Sequence, residues 1–165
     1  MKKSTLLFAA VILNSIAFSQ SQRLCLAEGF SNASCGPCAA QNPAYNTLLN
    51  NNTTKVIGIK YQTNWPGTDP MNAQTQSDVG PRVSYYGVNG VPWGALDGTA
   101  HTGSSYTGAL ANLNQTKIDN RYAVPSPFSL SVSHTLSSNY DSVSITIVIT
   151  ASQNFSTSAS NTLTL

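Results

Sequence analysis

Charge is the first thing this chain lacks. Eight Lys and Arg and six Asp and Glu stand in 165 residues, 8% in all. So few charges leave no basic footprint for nucleic acid or for an anionic membrane surface. Long apolar runs are missing too. The longest, Leu6 to Leu13, is far short of the roughly 20 residues a bilayer-spanning helix needs. Cysteine and histidine are scarce, at three and two. Cys25, His101 and His134 are scattered over different segments, so the four ligands of a zinc site cannot be assembled from spacing. No phosphate loop or HExxH is present. Gly103-Ser104-Ser105-Tyr106-Thr107 misses the nucleophile elbow, because residue 107 is not glycine. No metal and no cofactor is expected, and His101 reads as a solvated loop residue rather than a general base.

The short apolar run has another use. Lys2 and Lys3, the run itself, and Ala17 and Ser19 at a small-x-small site compose a secretory signal over residues 1–19. Gln22-Arg23-Leu24 ahead of Cys25 does not fit a lipoprotein site. Export then follows, to the periplasm, the outer membrane or the outside, with no membrane insertion of the mature chain and disulfides permitted. Removing 19 of the 165 residues leaves about 146, and takes two of the eight basic residues, so the mature chain is formally neutral. That is room for one domain and part of a second.

The element pattern is mixed. Residues 23–30 and 55–62 read as buried strands, and 39–49 as a helix stopped by Asn50 to Asn52 and kinked by Pro43. Residues 63–72, TNWPGTDPMN, are a breaker-rich loop in which Trp65 and Pro66 cap the core. Residues 73–86 form a helix with Gly87 as its cap, and Asp97-Gly98 is a hairpin signal. Residues 104–122 carry one helical face, in Tyr106, Leu110, Leu113, Ile118 and Tyr122. The order βα, βα, ββα implies a small α/β layer fold over residues 20–122. Ala123 to Pro127 is a linker. From residue 128 apolar and Ser/Thr residues alternate, so 128–165 reads as antiparallel strands of an incomplete β-sandwich, the start of a domain that a longer protein would finish.

One motif carries chemistry. Cys35-Gly36-Pro37-Cys38 opens the first helix. Thiol–disulfide exchange needs a thiolate and a second thiol to resolve the mixed disulfide. At a helix N-terminus Cys35 gains the favourable dipole and free N–H groups, and Pro37 loses nothing by lacking its own N–H there. Cys35 is then the attacking thiol and Cys38, one turn inward, the buried resolver. A permanent staple across so short a loop would restrain little chain entropy. Cys25, in the run Leu24 to Ala27, reads as a buried inert thiol, which leaves a monomer.

A strand, CGPC opening a helix, and Val91-Pro92 before a later strand together resemble the thioredoxin fold. AEGFSNASCGPCAAQNP, YQTNWPGTDPMN and RVSYYGVNGVPWGALDG look like the exported, outer-membrane-associated thioredoxin-like proteins of Bacteroidetes. The resemblance covers about residues 23–122. It implies a cis Val91-Pro92 bond packed on the disulfide, and a Val91 backbone that pairs with substrate alongside Gly36 and Pro37. It implies a protein disulfide or dithiol as substrate and a separate redox partner. The Gly-Pro dipeptide is similar to that of reducing thioredoxins, with potentials near about −270 mV. The chain departs from the family at Ser34, where tryptophan is usual, and at Gly29, the place of a buried carboxylate. Glu28 is one residue off; with Lys60 as ion-pair partner and a bulge at Gly29 it could move a proton for Cys38, and otherwise it is a solvated strand-end residue. Two functions stay open: an exported thiol-disulfide oxidoreductase, or a non-catalytic surface protein in which CGPC is a locked disulfide on a thioredoxin-like scaffold.

Overall fold

The computed structural model describes residues 20–98 and 105–152. Contacts divide the chain into two units, Ser21–Ser126 and a second that holds the strands after Pro127. The signal reading of residues 1–19, His101 and the last residues of the chain lie outside the described part.

The first unit is built on a four-stranded sheet in the order β2-β1-β3-β4. β1 (Cys25–Ser31) runs parallel to β2 (Val56–Gln62) and antiparallel to β3 (Trp93–Leu96), which pairs with β4 (Tyr106–Ala109). Alternation along β1 sorts the layers. Cys25 and Ala27 join Tyr45 of α1 (Gly36–Asn50), and Leu96, Leu110 and Ile118, in one apolar cluster. Phe30 points the other way, into an aromatic cluster with Tyr86 of α2 (Asn72–Tyr86), Val88 and Ala95. α3 (Gln115–Tyr122) lies with α1 through Ile118. Sealing a side chain such as Phe30, Leu96 or Ile118 from water is worth about 1.5–3 kcal/mol each, and all three are fully buried. Helices on both faces of a mixed sheet make a thioredoxin-like three-layer domain.

Local chemistry explains the helix ends. Asn114 Oδ1 accepts from Lys117 N–H at 3.1 Å and starts α3. Gly87 ends α2 at φ 61°, a left-handed turn that glycine adopts without a Cβ penalty. α1 continues through Pro43 as one helix.

Three expectations are corrected. Residues 104–122 are not one helix: β4 comes first, then a 3-10 turn at Leu110–Asn112, then α3. Pairing with β3 overrides the helical spacing, and Gly108 at φ 143° suits neither a helix nor an ordinary side chain. Asp97-Gly98 is not a whole two-residue turn, because β3 ends at Leu96 and β4 begins at Tyr106. Asp97 instead anchors the domain, accepting from Leu26 N–H at 2.6 Å and pairing with Arg23 and Arg121. β2 is not a buried strand: it pairs on one side only among the described residues, and Ile57 and Ile59 are 52% and 40% exposed.

The second unit is a two-stranded antiparallel sheet, β5 (Phe128–Leu136) and β6 (Val143–Ala151). Its register puts Leu130 opposite Ile149, Val132 opposite Ile147 and Leu136 opposite Val143. One face is therefore apolar and the other is largely Ser and Thr. No described helix is long and apolar enough to cross a membrane.

Candidate functional site

Cys35 and Cys38 form a disulfide, with Cα atoms 5.2 Å apart. Cys35 is the N-cap of α1, in extended conformation, and its Sγ accepts the Cys38 N–H at 3.1 Å. Gly36 and Pro37 fill the first two helical places, exposed, where an absent proline N–H costs nothing. The sulfurs themselves are well covered: Cys35 is 4% and Cys38 1% exposed. Cys35 Sγ lies 3.7 Å from the Val91 carbonyl oxygen, and the Val91–Pro92 bond is cis, as the resemblance implies. So four of the sequence-derived site residues, with Val91 and Pro92, meet at one corner of the sheet.

The segment before the disulfide is clamped by the loop 63–72. Asn32 Nδ2 donates to the carbonyls of Thr63 at 2.7 Å and Gly67 at 3.0 Å, while its Oδ1 accepts from Ser34 N–H. Ser34 Oγ donates to Thr68 O at 2.7 Å. The buried Asp69 carboxylate accepts from Ala33 N–H at 2.7 Å on one oxygen, and from Met71 and Asn72 N–H on the other. One side chain thereby caps α2 and ties down the approach to α1. Gly67 is needed for the close approach, since a Cβ there would sit 2.8 Å from Ser34 Cβ. Trp65 packs on the aromatic cluster, as the core-capping reading has it, but Pro66 is exposed. The approach Asn32-Ala33-Ser34 stands out in the sequence as a departure from ordinary thioredoxins, but the bonds that Asn32 and Asp69 make do not. Their signal was weak: both types favour turns and caps by bonding nearby backbone.

Glu28 is fully buried and turned toward α2. Its oxygens take a two-pronged bond from Arg82, at 2.6 and 2.9 Å, and hydroxyl bonds from Tyr61 and Tyr86. Burial first, and the Glu28 charge after it, hold both tyrosine hydroxyls above their usual ionisation range. The expected Lys60 partnership is wrong. Lys60 stands opposite Gly29, not Glu28, and bonds Asn46 at 3.4 Å. Nor is there a bulge, since the β1–β2 register runs unbroken through Gly29. Strand alternation therefore sends Glu28 and Gly29 to opposite faces. A Cβ at Gly29 would lie 2.9 Å from Tyr45 Cε1, on the α1 side.

Cys25 is free and buried. Burial, with the Asp97 carboxylate second, pushes its thiol up to about 11. Among the described residues no group of three or more His, Cys, Asp or Glu is placed to hold a metal.

Fold and disulfide together define a thioredoxin-like scaffold followed by an antiparallel β region. The solved structure of HBP35 of Porphyromonas gingivalis is similar, with a TM-score of 0.50 at 15% identity. The match covers 70% of this chain and 38% of that one, and it speaks for the fold alone. No family model matches the sequence, and no curated protein matches it.

Proposed function

We propose that this chain is an exported thiol-disulfide oxidoreductase acting on protein disulfides. One observation carries the reading: the Cys35–Cys38 pair caps α1, with Cys35 Sγ already accepting the Cys38 N–H. On reduction that N–H and the helix dipole would favour a Cys35 thiolate. Cys35 attacks a substrate sulfur, forming a mixed disulfide and releasing the other substrate sulfur as a thiolate. Cys38 then attacks Cys35, frees the substrate, and restores the internal bond. Val91 and Pro92, beside Cys35, would hold the substrate backbone, with Gly36 and Pro37 as the uncharged rim. A separate dithiol partner must return the pair to the reduced form.

A second reading, the locked disulfide on a surface scaffold, draws on the burial of both sulfurs and on the clamp before them. The test is the reduction potential of the pair together with turnover of an insulin-type disulfide, with Cys35→Ser as control. Turnover that Cys35→Ser abolishes supports the oxidoreductase. A potential well below about −300 mV, typical of structural disulfides, with no turnover would establish the scaffold instead.

A further inference from the structure

Among the described residues three buried side-chain polar atoms have no hydrogen-bond partner: Gln41 Oε1, Asn42 Oδ1 and the Tyr45 hydroxyl. All three are on α1, directly after Cys38. Gln41 and Asn42 follow Cys38 by three and four residues, which makes them its neighbours on the helix surface. Tyr45 follows them by the same steps, and long side chains on a helix lean back toward its N-terminus. The row is held in place from the sheet. Asn42 Nδ2 donates to Ser31 Oγ at 2.9 Å. The Tyr45 ring fills the space Gly29 leaves, its hydroxyl oxygen 3.3 Å from where a Cβ would be, and the residue is 3% exposed.

A buried polar atom without a partner costs about 1–3 kcal/mol, so such groups usually share an internal water. Two amide oxygens and a hydroxyl supply the two to four polar partners a buried water takes. A cleft of about 360 Å³, lined by Gln41 and Tyr45 of this row and by Leu110 and Asn114 among others, opens those two residues to solvent.

We propose that Gln41, Asn42 and Tyr45 form a hydrated proton path behind the disulfide, with Tyr45 as the positioning residue for Cys38. The role rests on the exchange chemistry proposed above. During resolution the Cys38 S–H gives up its proton as its sulfur bonds to Cys35. The Cys35–substrate bond breaks, and the departing substrate thiolate takes up a proton from solvent. No oxidant is consumed in this step. Cys38 is 1% exposed, so its proton needs an internal way out. Tyr45 acts as donor and not as base: burial first, and the Glu28 charge second, hold its hydroxyl protonated well above the usual range.

Other ionisable groups surround the row. β1 brings Glu28, neutralised by Arg82 on the far face, and Cys25. β2 brings Lys60, whose ammonium is weakened by burial. β4 and α3 bring Tyr106 and Tyr122 to the same cluster. The charged groups of α3 are engaged, with Asp119 on Lys55, Lys117 over Tyr106 and Arg121 on Asp97.

The experiment uses the full chain carrying Cys35→Ser, so that Cys38 is a free thiol. Its alkylation by iodoacetamide is followed against pH by peptide mass, with and without Tyr45→Phe. The expected result is a rise of about one pH unit in the Cys38 profile, roughly tenfold slower alkylation near neutrality. Tyr61→Phe, which removes a hydroxyl on the other face, should leave the profile alone. Cys25, if it stays unreactive, reports an intact core. An unchanged Cys38 profile with Cys25 protected overturns the proposal. Should Tyr45→Phe expose Cys25, Gln41→Leu is read by the same two outcomes. Because thiol acidity is measured and not turnover, a shifted profile in an idle protein would sink the oxidoreductase reading while sparing the path.

Discussion

Asp69 shows how much one side chain can hold. Its two oxygens serve three backbone N–H groups belonging to different segments, Ala33 on one side and Met71 and Asn72 on the other. In Asp69→Asn one acceptor oxygen becomes an NH₂ that cannot accept. At least one of these N–H groups then loses its acceptor, at a cost of about 1 kcal/mol where the bond is part-buried and up to about 3 kcal/mol at the buried Asn72. Urea unfolding should show the loss, and amide exchange at Ala33 should quicken. Unchanged stability would mean that the clamp is redundant. The pairing was not legible in the sequence, since nothing in TNWPGTDPMN marks Asp69 as a partner of a residue 36 positions earlier. Glycine had a similar blindness: Gly29 reads as a missing carboxylate, and only the fold shows that Tyr45 fills the gap.

At the level of elements, β1, α1, α2 with its Gly87 cap, and the alternation of β5 and β6 were all readable, because each follows from local spacing and turn chemistry. β4 was not. Its four residues share apolar positions with the helix that follows, and strand pairing decided between them. The partner of Glu28 was unreadable for a different reason. Arg82 comes from the middle of α2, and its approach to β1 depends on how that helix crosses the sheet. The bond ties helix to strand through a fully buried carboxylate. Glu28→Gln leaves the guanidinium without its counter-charge. Arg82 is a third exposed, so water relieves part of this, and a loss of about 3 kcal/mol, the low end for breaking a buried pair, is expected. Chemical denaturation measures it. The pH profile of Cys38 should stay in place, because Glu28 faces away from α1; a shifted profile would restore a proton role to the carboxylate.

For the whole molecule, the inference concerns alkaline stability. Cys25 in the folded state keeps its proton to about 11, against 9.0 for an ordinary thiol. Above pH 9 the unfolded chain ionises first and binds fewer protons than the native one, so stability falls as pH rises from 9 toward 11. The loss from this group is on the order of 2–3 kcal/mol. Tyr45 and Tyr86, both raised from 10.0, add to the fall at the upper end. Urea midpoints taken with the disulfide intact should drop between pH 8 and 10.5, and Cys25→Ala should flatten the first part of that drop. A flat profile in the parent chain would contradict the burial of this thiol.

Ser21 and Ser126, at the two ends of the first unit, face each other in an antiparallel bridge, with N–H to O distances of 3.1 and 2.8 Å. The chain therefore enters and leaves the α/β unit through one doorway. Its boundaries are already brought together, so joining them or splicing the unit into a foreign surface loop would add little closure entropy. Topologically the disulfide-bearing unit is a cartridge, portable without cutting any strand that supports Cys35 and Cys38.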